Sequence, residues 1–456
     1  DNKLNNTKTI YERFKISNFT TSFSKKILVL NPLIFSKSIY WTIKGIFIYL
    51  INPLNFIDNF EISKIKVGDL IYDSSIRRDQ RFLKSYIDIK FIKILFISVF
   101  KFSHIYKVLK NQNNDYICLI SSVSHATDSN FALRISLNFG KKVYLHNYAA
   151  LRVYDKIEQG FLSDKKVYLK DLNKFKISKN RIQKFLKNRF KGSTSGTFTN
   201  PFEIKKVYTK KKSFLNRDHI FKILKLKKTK RIVLFSAHAF SDAPHGGATG
   251  SAFIFKDYFD LFKKTLKFIS ENDDGNTLWI FKEHPSSHIF KEVGIFKEYV
   301  DRYKFKNLKQ FPKEFDLSTL FPYLDTVITG RGTMAIEAAT FGIKPIICGV
   351  TSFSGLGFTQ EPKNQVEYFK NITNMNFNNK LNPKLQSRAQ KTLYILENFT
   401  SKGASKGKIL INKIDKAIKN DEKNYEIKLK KIPIKKIMID NYYLSVKEFI
   451  RKNFEV

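Results

Sequence analysis

Three short segments in the second half of the chain gather residue types that handle phosphate. The first, SAHAFSDAPHGGATGS at positions 236–251, mixes glycines and small residues with His238, Asp242 and His245. Glycine lets backbone N–H groups approach an anion closely, and such groups ahead of a helix form a ready anion site. The second, KEHPSSH at 282–288, ends an apolar run at Pro285, leaving Lys282, Glu283 and His284 at its tip. There an imidazole can donate to a phosphate oxygen and a lysine can neutralise charge. The third, TGRGTMAIEAATFG at 329–342, places Gly330 and Gly332 in a turn and Thr333 as an expected N-cap. The free N–H groups and dipole of the following helix then face a phosphate, and Arg331 adds a fixed cation. Glu337 lies four residues beyond Thr333, on the same helix face, and a carboxylate there suits paired ribose hydroxyls. A plain surface loop, a histidine that only satisfies its own turn and a solvated helix residue are the bland alternatives for the loop, His284 and Glu337. Spacing alone leaves them open.

Other chemistries lack their signatures. The 236–251 loop has neither the Gly-Lys-Ser/Thr of a Walker loop nor G-x-G-x-x-G. No H-E-x-x-H or cysteine pair supports zinc, and His284 and His288 flank a proline turn, so no metal is expected. No G-x-S-x-G elbow presents a serine nucleophile.

The elements that must position these loops repeat one cadence. YICLISS (116–122) reads as a buried strand, VSHATDSN as a loop, NFALRISLNFG as a helix ending at Gly140, and VYLHN as a second strand. DTVIT (325–329), GRG, TMAIEAATFG and PIICGV repeat the order, with Gly342 just past the helix and Pro345 unable to continue it. Strand, loop, helix, Gly, Lys, strand with short connections is the pattern of a parallel crossover. RIVLFSAHA from Arg231, an apolar helix over AFIFKDYFDLFKKTLKFISEN and a strand at LWIFK extend the second unit. The reading is α/β, with two Rossmann-like doubly wound lobes facing a central cleft. Expected bounds are 1–210 for the first lobe, 211–400 for the nucleotide-binding lobe, and a basic helical tail over 401–456. KKVYTKKKSFLNRD (205–218) is the expected linker. Parallel sheets bind ligands beyond the carboxyl ends of their strands, where the three loaded loops fall.

Composition narrows the partners. At 456 residues with 43% hydrophobic and 15% aromatic residues, the chain can bury more than one core. Cys118 and Cys348 sit in apolar runs, so a reducing compartment without disulfides is expected. The opening DNKLNNTKTI lacks the apolar core of a secretory leader. Trp41–Ile57 is the most apolar stretch, but Lys44 and Pro53 interrupt it; a buried helix is expected first, an amphipathic membrane-surface element second. The formal charge of +42 draws anions, although abundant Lys, Asn, Ile and Phe also reflect codon usage. No nucleic-acid module is present in the sequence, so nucleic acid is not an expected partner and an anionic membrane surface is the better candidate. A cytoplasmic location follows, with a peripheral position at the inner face of the membrane as its extension.

Taken in order, KEHPSSH, DTVITGRGTMAIEAATFGIKPIICG and SGLGFT resemble the capsule polysaccharide biosynthesis family, which includes Kdo transferases of the two-Rossmann (GT-B) superfamily. The likeness covers 230–365 well; VGDLIYDSSIRRD (67–79) and the 116–147 crossover support it more weakly. It implies that His284 contacts the donor phosphate, that Gly332 and Thr333 present backbone and hydroxyl to it, that Glu337 holds the ribose, and that Ser236 and His238 line the pocket. Arg331 departs from the small residue common in relatives. The implied activity is metal-independent glycosyl transfer from a nucleotide sugar, CMP-linked first and UDP-linked second, onto a growing polysaccharide or lipid-linked acceptor. The first lobe must then supply an acid or base facing the acceptor hydroxyl, with Asp73, His125 and Asp128 as candidates. Competing readings are a CDP-polyol phosphate transferase, a nucleotide-sugar epimerase and a non-catalytic, basic, membrane-associated assembly protein of the same fold.

Overall fold

The computed structural model describes residues 32–111, 118–120, 128–147, 150–154, 177–190, 212–245, 253–285, 292–303, 307–374 and 380–398, with single positions at 167, 169, 172, 287 and 290. The expected tail over 401–456 and the first half of the expected linker, 205–211, lie outside the described residues. The chain opens with α1 (Pro32–Ile51) and α2 (Pro53–Asn59), followed by a hairpin of β1 (Glu61–Ile62) and β2 (Ile65–Lys66). Then come α3 (Gly68–Asp79), α4 (Ile89–Asn111), β3 (Cys118–Ile120), α5 (Asp128–Asn138), β4 (Val143–Asn147), β5 (Ala150–Tyr154) and α6 (Lys179–Phe190). The second half contains α7 (Arg217–Leu224), β6 (Arg231–Ser236), α8 (Tyr258–Asn272), β7 (Thr277–Lys282), α9 (Ile295–Arg302) and β8 (Leu308–Gln310). It closes with β9 (Thr326–Thr329), α10 (Thr333–Thr340), β10 (Ile346–Ile347), α11 (Gln365–Thr373) and α12 (Pro383–Asn398).

The fold is α/β. In the second half five strands form a wholly parallel sheet in the order β10-β9-β6-β7-β8. Side chains alternate across a strand, so β6 sends Val233 and Phe235 to one face and Ile232 and Leu234 to the other. The first face packs on α8 and α9, through Phe262, Leu266, Ile269 and Phe296. The second packs on α7 and the 311–324 segment, through Ile220, Phe221, Leu320 and Phe321. Buried on both faces, such strands read as continuous apolar runs, which is why RIVLFS and TLWIFK stand out in the sequence. Helix α8 is capped by Asp257, whose carboxylate accepts from Asp260 N at 2.7 Å.

In the first half β3 and β4 pair in parallel around α5, as the crossover pattern predicts, and β5 adds an antiparallel strand. Gly140 and Gly342 both sit at positive φ, 72° and 83°, just past α5 and α10. They provide the left-handed stops the sequence suggested. Trp41–Ile57 is two helices rather than one. Asn52 caps the second, its side-chain oxygen accepting from Leu54 N at 2.9 Å, and Pro53 opens it. Nor is α1 a fully buried helix: one face is buried and the other exposed. Residues of α2, α3 and α4 share one apolar cluster with the first face of the parallel sheet. Tyr72 of α3 donates its hydroxyl to Asp257 at 2.6 Å, joining the two halves of the chain.

Candidate functional site

The parallel register aligns the carboxyl ends of the three inner strands. Ser236 at the end of β6 pairs with Lys282 of β7 on one side and Thr329 of β9 on the other. From β6 the chain moves outward through β7 to β8, then returns to β9 and β10 on the opposite side. The order therefore reverses between β6 and β9. A crevice opens where strand order reverses, and ligands of open α/β sheets bind there.

Beyond those ends the chain builds a row of rings. His238, two residues past β6, stacks on Tyr258, the first residue of α8, with centroids 4.2 Å apart and planes 11° from parallel. The His284 ring lies 6.0 Å from that of His238, with planes 10° from parallel. The Nε2 of His238 accepts the backbone N–H of Arg331 at 3.3 Å, which assigns the ring proton to Nδ1. His238, His284 and the Gly330–Thr333 turn therefore meet at one lip of the sheet.

Two glycines allow that meeting. A Cβ on Gly330 would lie 2.6 Å from Cε1 of Tyr258, and one on Gly332 would lie 3.0 Å from Thr329 Oγ1 and 3.3 Å from His238 Nε2. Contacts under 3 Å are not tolerated without a shift, so the turn reaches the rings only with glycine at 330. The N-cap of α10 is Gly332 rather than Thr333, and no side chain caps the helix. Thr333 is the first helical residue and is exposed. A helix start without a side-chain cap presents N–H groups and the positive end of the dipole to whatever enters. Arg331 fixes the turn: its Nε donates to Val350 O at 2.9 Å and its Nη1 to Pro244 O.

Electrostatics keep both imidazoles neutral at pH 7. Burial pushes His238 down to about 3, reinforced by the nearby His284 and Arg331. Burial with the neighbouring Lys282 pushes His284 down to about 4. A neutral imidazole still donates one N–H, and an arriving phosphate would favour its charged form. Lys282 is partly buried, with Nζ 3.3 Å from Glu283 O.

Of the first-half candidates, Asp73 lies on α3, fully buried, close enough to act electrostatically on Tyr258 alongside Arg331 and Asp242. Arg77 of the same helix approaches Asp242 at 3.8 Å. His125 lies outside the described residues, as does the side chain of Asp128, whose backbone opens α5. Glu337 is drawn away from the crevice. It is 3% exposed, and Oε1 receives Arg189 Nη2 of α6 at 2.6 Å and Nε at 3.1 Å. Its neighbours Ala335, Ile336 and Ala339 pack into the cluster formed with α6 and α12, so this flank of α10 faces the interior. The carboxylate expected at a ribose is committed to a buried ion pair.

Two positioning groups carry no warning in the sequence. Tyr258 read only as an apolar helix position. Glu292, 1% exposed, accepts Phe240 N at 2.9 Å and Ser241 N at 2.5 Å, and so fixes the loop that follows His238.

The model of the family described as capsule polysaccharide biosynthesis protein matches residues 145–400, more than half of the chain. The chain belongs to the capsule polysaccharide biosynthesis family. None of the curated proteins matches it. Among solved structures it is similar to the beta Kdo 2,4 transferase of Thermosulfurimonas dismutans KpsC at 15% identity and a TM-score of 0.27, over 47% of this chain and 56% of that one. It is similar to the beta Kdo 2,7 transferase of the same protein at 14% and 0.32, over 63% and 79%. It is also similar to Methanocaldococcus jannaschii UDP-GlcNAc 2-epimerase at 12% and 0.29, over 66% and 80%. The first of these is matched over little more than half its length.

Proposed function

We propose that this capsule-family chain is a glycosyltransferase moving a sugar from a nucleotide-sugar donor, CMP-linked in the first instance, onto a growing surface polysaccharide or lipid-linked acceptor. One observation carries the reading: His238, His284 and the start of α10 without a side-chain cap converge at the point where strand order reverses. The donor phosphate sits at the Gly332–Thr333 N–H groups, His284 donates to it, and Arg331 and Lys282 offset its charge. The bond between the anomeric carbon and the phosphate oxygen breaks, and the nucleotide leaves with the electron pair. The fixed cation and helix dipole stabilise the charge that develops on the leaving oxygen. The acceptor hydroxyl bonds to the anomeric carbon and gives its proton to a carboxylate, for which Asp73 of α3 is the candidate, since its charge is felt at Tyr258. Because nucleotide sugars are cytoplasmic metabolites, the reaction is placed on that side of the membrane.

The test is turnover. The full-length protein is incubated with CMP- and UDP-sugars and an oligosaccharide acceptor, with CDP-glycerol in a parallel arm. Release of CMP or UDP together with an extended acceptor supports the reading. Transfer from CDP-glycerol alone replaces it with polyol-phosphate transfer, and conversion of UDP-GlcNAc without acceptor to a product inverted at C2 of the sugar replaces it with epimerisation.

A further inference from the structure

We infer that the outer face of α1, with the adjoining start of α4, docks on an anionic lipid surface and lies in its plane. Seventeen large apolar side chains are exposed among the described residues, and eight of them lie on α1: Leu33, Phe35, Ile39, Tyr40, Ile43, Phe47, Leu50 and Ile51, each between 40 and 81% exposed. At roughly 100 Å² apiece they present on the order of 800 Å², more than the about 300–600 Å² of the largest apolar patch on a typical soluble monomer. At the start of α4, Ile89 and Ile92 are exposed as well, and Phe91 between them has its ring 4.6 Å from that of Tyr49 on α1.

The opposite face of α1 shows why the helix lies flat rather than spanning. Ile34, Ser38, Thr42, Gly45 and Tyr49 are buried at helical spacing. A Cβ on Gly45 would already stand 3.1 Å from the Phe60 ring and 3.2 Å from Leu95, so α1 is seated tightly against its neighbours. Its inner face is held by the protein while the outer face is free for lipid, the geometry of an interfacial helix.

Charge selects the occupant. The sequences of α1 and α4 contain seven lysines and no Asp or Glu. Lys37, Lys44, Lys90 and Lys93 are exposed beside the patch. A basic rim around an apolar face matches anionic headgroups around acyl chains, with each cation near the surface adding about 1 kcal/mol. A second copy would bring its own lysines against these, in a chain whose formal charge is +42. Residues 1–31 are basic too, with six Lys or Arg against one Asp and one Glu.

The experiment uses the full chain and two vesicle compositions, phosphatidylcholine alone and phosphatidylcholine with phosphatidylglycerol. Flotation is expected with the anionic vesicles and at least tenfold weaker with the neutral ones. Phe47→Glu/Leu50→Glu should lose at least tenfold in partitioning to anionic vesicles, and the gentler Phe47→Ser/Leu50→Ser should lose binding in the same direction. A readout on the unmodified protein is independent of any variant. Trp41 lies on α1, partly buried beside Tyr40, whereas the other tryptophan, Trp279, is 4% exposed within β7. Acyl chains brominated near the headgroup should quench the emission of Trp41. Equal flotation of both Phe47/Leu50 variants and the wild type would overturn the inference, since adsorption would then be a property of the whole basic surface. So would absence of quenching, or a dimer in solution that the Phe47/Leu50 variants dissociate. Turnover plays no part in these readouts, so their outcome is separate from that of the glycosyl-transfer assay.

Discussion

Protonation of the ring row gives the most quantitative prediction. His238 and His284 carry folded values of about 3 and about 4 against an ordinary 6.5. Because the folded values are the lower ones, the unfolded chain holds protons between about pH 4 and 6.5 that the folded chain refuses. The sign follows from linkage: stability is unaffected well above 6.5 and falls as pH drops through that window. At about pH 5.5 the unfavourable contribution is about 1.4 kcal/mol for each ring, since both folded rings are still neutral there. Both rings are partly exposed, so the pair should contribute about 1.5–3 kcal/mol. With about 2–4 °C per kcal/mol for a domain of this size, the melting temperature should fall by about 3–12 °C between about pH 7.5 and 5.5. Buried carboxylates such as Asp257 and Glu292, raised mainly by burial, act with the opposite sign. The assay is therefore a difference: calorimetric melts of wild type and His238→Asn/His284→Asn at both pH values. The variant should lose most of the decline. An identical decline in both proteins would refute the claim that these imidazoles are held neutral.

Three further outcomes follow from the same geometry. Gly330→Ala drives a methyl into Tyr258 and should lower stability by about 1–3 kcal/mol. Combined with Tyr258→Leu, the loss should be smaller than the sum of the single variants, as measured by denaturant unfolding, because the smaller side chain admits the methyl. Arg189→Leu removes the guanidinium from the buried Glu337 carboxylate and should cost about 3–5 kcal/mol, whereas Arg189→Leu/Glu337→Leu should recover most of it. Asp73→Asn should lower turnover by about 10²–10⁴-fold while leaving nucleotide-induced stabilisation unchanged, which separates an acceptor base from a donor ligand.

Local pattern marked the strands of the parallel sheet and the loops at their carboxyl ends. Apolar runs closed by Pro285 or by the Gly330–Gly332 turn are contiguous in sequence, so strand ends and loaded loops could be placed from residue types. The contacts that organise the loops are not contiguous. Glu292 reaches back 52 residues to Phe240 and Arg189 reaches 148 residues to Glu337. A carboxylate carries no local mark of whether it will meet a ribose, a loop N–H or a guanidinium. For Glu337, helical spacing fixes the face it shares with Thr333 but not what packs on that face. The two-sided character of α1 was likewise hidden. An apolar residue reads the same whether it faces α4 or water, and only the small residues Ser38, Thr42 and Gly45 trace the packed side.

The central claim is that a nucleotide phosphate binds where His284 meets the start of α10. It is tested most directly by thermal melting of the full chain against CMP, CDP, UDP and GDP, in wild type and His284→Ala. At a ligand concentration about 100 times the dissociation constant, one nucleotide should stabilise the wild type by about 2.7 kcal/mol, and His284→Ala should weaken that response at least tenfold in affinity. Melts of the wild type that stay flat with all four nucleotides, or a response that His284→Ala leaves intact, would contradict it.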